Sequence, residues 1–161
     1  MKRGGVWLGV GGLVLRETGE ILVVKKRYGA TMGLWTLPGG FVAPGETMDE
    51  AVQREIREET GIRTRVIGVA GIRTGVLRSG ESDNMVFFIM APEKGEPAPD
   101  GVEIAEARYL SRDVLRKDPA TTDLLRRIVS AEQQWEPALV RLPISLQRDY
   151  GYKSYRIFSG S

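Results

Sequence analysis

The stretch TMDEAVQREIREETG, residues 47–61, constrains the chain more than any other, because it carries its own helix start and stop signals and has strand-like sequence on both sides. Thr47 with Glu50 three residues on makes a capping box. Gly61 suits the position just past a helix end, where it takes positive φ without steric cost. A helix over about Met48 to Thr60 follows. At about 100° per residue, Met48, Val52 and Ile56 form its apolar stripe, and Glu59 projects among them with Glu55 at the edge. Glu58 falls on the flank. The solvent face holds Glu50, Arg54 and Arg57, with Arg54 placed to pair with Glu50 or Glu58.

The charge on this helix is unusual. Residues 39–62 hold six acidic side chains against Arg54 and Arg57, leaving 21 basic and 15 acidic of the chain's 23 and 21 for everything else. A solvated face would turn its glutamates away from the apolar stripe and supply Lys or Arg at i+4. Glu55 and Glu59 instead form a like-charge i,i+4 pair, which costs about 0.2–0.5 kcal/mol in an isolated helix and more when desolvated. A divalent cation would turn that repulsion into shared coordination. The chain has no Cys and no His, which excludes disulfides, thiolate nucleophiles, Cys/His zinc sites and Ser-His-Asp arrangements. Carboxylates alone favour hard, oxygen-seeking ions such as Mg²⁺ or Mn²⁺. An acidic spot filled by metal in a basic body would attract a phosphate ester; the same balance also suits weak nucleic-acid binding or plain solubility.

Elsewhere the pattern is of strands. Residues 6–16, a turn at Glu17–Gly19 and residues 20–27 read as a hairpin, residues 34–38 as a short strand, and GGFV at 39–42 as backbone that can bend sharply or approach a ligand closely. Residues 62–76, 84–91 and 102–110 are further strands, with a Pro- and Gly-rich loop at 92–101. Ser111 caps a short helix at RDVLRK, and Pro119 or Thr122 opens a second one through Gln133. From Trp135 the chain carries Tyr150, Tyr152, Tyr155 and Phe158, too aromatic for a disordered end. The expected organisation is an α/β domain over residues 1–134 and an extension, 135–161, that packs on the domain or on a partner subunit in a homodimer. Neither a bilayer-spanning run nor a cleavable leader is visible, so a cytoplasmic protein without membrane contact is expected.

Gly40, five residues, Glu46, seven residues and then Arg54-Glu55-Ile56-Arg57-Glu58-Glu59-Thr60-Gly61-Ile62 match every fixed position of G-x5-E-x7-R-E-U-x-E-E-x-G-U, with U a bulky aliphatic. In this the chain resembles the Nudix hydrolases. LWTLPGG and EARYL extend the likeness to about residues 6–130. The resemblance implies an α/β/α sandwich on a mixed β-sheet and hydrolysis of a nucleoside diphosphate linked to another moiety. It implies Mg²⁺ or Mn²⁺ held by Glu55, Glu58, Glu59 and the Gly39 carbonyl, with Glu55 activating water, Arg54 orienting the glutamates, and Gly40 and Gly61 structural. Many relatives carry an acid where this chain has Ala43. Glu103 and Glu106 are candidates for a further carboxylate, with strand-end ion pairs the alternative. Arg27 is a candidate phosphate contact, and Trp35 reads as core. A small-molecule nucleoside diphosphate derivative is favoured over nucleic acid because Lys and Arg are dispersed. The competing reading is a catalytically silent nucleotide sensor or interaction module, which commonly loses box glutamates; this chain keeps them all.

Overall fold

The computed structural model describes residues 4–131 and 135–160. In chain order the elements are β1 (Val6–Val14), β2 (Ile21–Lys26), β3 (Trp35–Thr36), β4 (Gly39–Phe41), α1 (Met48–Thr60), β5 (Arg63–Val76), β6 (Ser82–Lys94), β7 (Ile104–Leu110), α2 (Arg112–Lys117), α3 (Asp123–Val129), β8 (Val140–Leu142) and β9 (Ile157–Ser159). No helix among the described residues is long and apolar enough to cross a membrane.

One sheet is mixed, in the order β4-β1-β6-β5, with β1 and β6 parallel; a second is antiparallel, β3-β2-β7. The last six residues of β1 are all buried, as expected for a strand covered on both faces. Its alternation sends Val10 and Val14 to a core under α1 and Leu13 to a core under α2 and α3. The α1 side of the first core receives Ala51, Val52 and Ile56, each fully buried, worth about 1.5–3 kcal/mol for each of the two larger side chains. On the other face Leu115, Leu125, Ile128 and Val129 close over Trp35, Leu37 and Ile89.

Two strand expectations and one helix bound are corrected. Residues 6–16 and 20–27 do not form a hairpin: beyond one bridge, Leu15 to Ile21, β1 and β2 belong to different sheets. Both flanks of β1 are taken, by β4 and β6, so β2 pairs with β3 and β7. GGFV does not bend sharply, since Gly39–Phe41 forms β4 against β1. The last predicted helix stops at Val129, short of Gln133, and residues 132–134, where the domain boundary was expected, lie outside the described residues. Its predicted start is right at Thr122, and Ser111 accepts a hydrogen bond from the Val114 N–H as the cap of α2.

The tail forms the two-stranded ladder β8–β9. Leu139 and Phe158 pack against the α1 core, Phe158 edge-on to Phe88 at 5.8 Å. Arg156 reaches the start of α1, where it donates to Thr47 Oγ1 (2.9 Å) and Glu50 Oε1 (3.0 Å). Its Nε also stands 3.0 Å from Asp49 Oδ2, an ion pair without hydrogen-bond geometry, so Arg156 Nε and Asp49 Oδ1 are left without hydrogen-bond partners.

Candidate active site

Helix α1 has the predicted bounds, with the capping box at Thr47 and Glu50 and Gly61 at φ 76°. Its charged side is held against β4, the edge strand of the mixed sheet. Val10 pairs with Gly40, and Val42 N–H donates to Leu8 C=O, so Gly40 faces β1 with its backbone while Gly39 and Phe41 turn theirs outward. The helix fills that outward edge: Gly39 N–H donates to Glu59 Oε2 (3.1 Å), and Arg54 donates to Phe41 C=O (3.2 Å). The Gly39 carbonyl, on the same side of the strand as its N–H, faces the same space. A Cβ on Gly40 would lie 2.5 Å from the Glu55 carboxyl carbon, so the missing side chain is what admits the carboxylate.

Arg54 corrects the sequence reading. Its expected pairing with Glu58 is present (3.2 Å), but not from the solvent face: the side chain is only 27% exposed and also bonds Glu46 (2.6 and 2.9 Å) and Glu55 (2.9 Å). Glu50 is engaged by Arg156 and by the Thr47 N–H. Glu46 bonds back to the Ala43 N–H at 2.7 Å, so the fixed glutamate of the motif braces the arginine and the turn together. Hydrogen bonds from Arg54 hold the Glu46 carboxyl below the usual range, and those to Glu46 and then Glu55 raise the guanidinium further.

Glu59 is different. It is 3% exposed, and its carboxyl is pushed up to about 7 by burial, against the pull of Lys26 and the Gly39 N–H and with the charges of Glu55 and Glu103 adding to the rise. Glu55 is raised by burial as well, with Arg54 opposing. Glu58, at 57% side-chain exposure, flanks them in solvent. As oriented, no three carboxylates among the described residues meet around one point. Glu55 is drawn to Arg54 and Glu59 to Gly39. The donor set is nonetheless all oxygen and includes a desolvated carboxylate with no basic side chain among the described residues in ion-pair contact, which fits Mg²⁺ or Mn²⁺.

The candidates outside the motif divide. Glu103 lies close enough to raise both Glu55 and Glu59. It is held by a turn in which Asp100 Oδ1 accepts the N–H groups of Val102, Glu103 and Ile104, and its C=O accepts Arg27 N–H at 2.8 Å. Glu106 instead faces Lys25 (3.9 Å) and Arg108 (3.2 Å). Arg27 sits beside Glu103 through its backbone, and Trp35 is core, 4% exposed. Sequence reasoning missed Lys26, whose charge reaches Glu59, and Tyr28, whose phenol is raised first by its hydrogen bond to Glu103. Their position at the end of β2 was visible, but the pairing of β2 with β7 that brings them across from α1 was not. On the outer face of β4, Phe41 stands edge-on to Trp7 at 5.9 Å, both partly exposed.

The family model described as NUDIX domain matches residues 6–131. The chain belongs to the Nudix family. This Nudix chain is 34% identical over 122 residues to the NAD-capped RNA hydrolase NudC of Haemophilus influenzae (strain PittGG), covering 74% of this chain and 45% of that protein. It is 31% identical over 104 residues to the ADP-ribose pyrophosphatase of Methanocaldococcus jannaschii, covering 65% and 62%. A solved MutT Nudix hydrolase from Burkholderia pseudomallei superposes with a TM-score of 0.69 at 25% identity, over 80% of this chain and 98% of that one. The chain spans 29% to 62% of the length of the first curated relatives it matches.

Proposed function

We propose that this Nudix chain hydrolyses a phosphoanhydride bond in a nucleoside diphosphate derivative, by attack of water on phosphorus with Mg²⁺ or Mn²⁺ as cofactor. The observation that carries the reading is Glu59, a carboxylate buried at the edge of β4 beside Glu55, for which Gly40 makes room. Two such groups i,i+4 on one helix, kept in an apolar setting at a cost to stability, are what a catalytic centre needs and a structural helix avoids. Glu55, Glu58, Glu59 and the Gly39 carbonyl would hold the metal, which when bound supplies neutralisation of phosphate charge and acidification of water.

The chain's own groups do the rest. Glu55, whose affinity for a proton is raised by burial, takes the proton from the attacking water, a role worth a factor of roughly 10²–10⁴. Arg54, braced by Glu46 and Phe41 C=O, fixes the Glu55 carboxylate in place. Lys26 and Arg27, at the end of β2, offer cations to the phosphates, and Glu103 stands across the opening. Relatives named for NAD-capped RNA and for ADP-ribose both act on pyrophosphate-linked nucleosides, which supports that substrate class. Product release from a panel of nucleoside diphosphate derivatives, with Mg²⁺ and after chelation, tests it for the wild type and Glu55→Gln. Tight binding of a nucleotide without turnover of any of them would make the chain a sensor.

A further inference from the structure

We propose that the loop between β8 and β9 is a docking surface for single-stranded nucleic acid. The ladder fixes its two ends, pairing Leu142 with Ile157, so residues 143–156 leave and rejoin the body at one place. Irregular loops of this length are uncommon in compact domains and tend to carry function. Its base is pinned: Arg156 is tied to the start of α1, and Phe158 sits in the core. A loop held at the root need not spend its aromatic residues on holding itself down.

It displays them instead. Tyr150 and Tyr152 are 63% and 62% exposed, and Tyr155, at 39%, stands edge-on to Tyr152 with centroids 4.9 Å apart. The turn that presents the first two is closed by Asp149 Oδ1 accepting the Gly151 N–H at 2.8 Å, which occupies the segment's one carboxylate. Arg148 and Lys153 flank Tyr150 and Tyr152 and have no ion-pair partner among the described residues. Exposed rings interleaved with free cations are the components by which proteins hold unpaired strands: bases stack on the rings, and the cations follow the phosphates. A duplex hides its base faces, so the surface selects single strands. The dispersal of Lys and Arg along the sequence argued against nucleic acid; residues 148–155 are the local exception, with Arg148, Lys153 and three tyrosines in one loop. A second copy of the chain is the rival occupant, and the excess of cations over the loop's one carboxylate, Asp149, favours a polyanion over a like-charged copy of the same loop.

The inference does not depend on the chemistry at the glutamates. Fluorescence anisotropy of a labelled single-stranded RNA of about 12 nucleotides, titrated with the full chain, tests it. Saturable binding is expected, with a duplex of the same sequence at least about tenfold weaker. The double variant Tyr150→Ala/Tyr152→Ala, whose side chains lie largely in solvent and whose fold is checked by circular dichroism, should bind about 10-fold more weakly or worse. Arg148→Gln/Lys153→Gln should reduce the slope of log affinity against log salt by about 1.4, at ~0.7 per phosphate contact. Glu55→Gln should bind as the wild type does. Absence of saturable binding, equal affinity for the duplex, or an unchanged tyrosine variant overturns the proposal. So does light scattering in which the wild type is a dimer and the tyrosine variant a monomer, neither of them binding RNA.

Discussion

Replacing Glu59 by Gln should stabilise the metal-free protein in alkaline solution and leave it unchanged in acid. The carboxyl is raised from its ordinary 4.5 to about 7 by burial. At about 1.36 kcal/mol per pH unit, that difference corresponds to about 3 kcal/mol. Because the folded state holds this proton more tightly than the unfolded chain does, the group's stabilising contribution is complete below about pH 4.5 and is lost as pH rises through about 7. Above that the native state carries a desolvated charge. Gln keeps an oxygen that can accept the Gly39 N–H and removes the charge. Thermal unfolding in chelator, followed by circular dichroism, should raise the Tm of Glu59→Gln by roughly 6–12 °C near pH 8.5, at about 2–4 °C per kcal/mol for a chain of this size, and by little near pH 5. Added Mg²⁺ should stabilise the wild type and not the variant. A variant destabilised equally at both pH values would mean that Glu59 is an ordinary, satisfied part of the core, and the argument for a strained catalytic carboxylate would fail.

Other perturbations separate the roles of the remaining groups. Glu55→Gln should lower kcat by about 10²–10⁴ with KM little changed, read by steady-state product release on whichever diphosphate derivative is turned over. Gly40→Ala places a methyl 2.5 Å from the Glu55 carboxyl carbon, so Mg²⁺ titration calorimetry should show weakened binding while the far-ultraviolet spectrum stays that of the wild type. Arg156→Ala strips Asp49, 12% exposed in its side chain, of its cation; urea unfolding should show a loss of about 1–3 kcal/mol, and Lys at this position should restore only part of it.

The helix was legible because its signals are local: the box at Thr47 and Glu50, the stop at Gly61 and the position of Glu59 among apolar neighbours all lie within one short segment. The donor chemistry was legible for the same reason, together with the absence of Cys and His. What was hidden depends on distant partners. Arg54 could be placed on the helix surface but not against Phe41, because that contact needs β4 to lie at an edge. Asp49 was given no role from the sequence, and its buried ion pair depends on Arg156, which arrives from the far end of the chain. The hairpin of β1 and β2 fails in the same way, since nothing near Leu15 reveals that β6 will claim the neighbouring flank.

The outer rim of β4 has a consequence apart from chemistry. An open strand at the side of a sheet invites another molecule's backbone to add itself there, the usual first step toward clumping. Here Glu59 caps the Gly39 donor and Arg54 caps the Phe41 acceptor, so two ionic side chains act as stoppers on the rim. The side chains proposed to serve catalysis thereby also keep the molecule from growing by accretion.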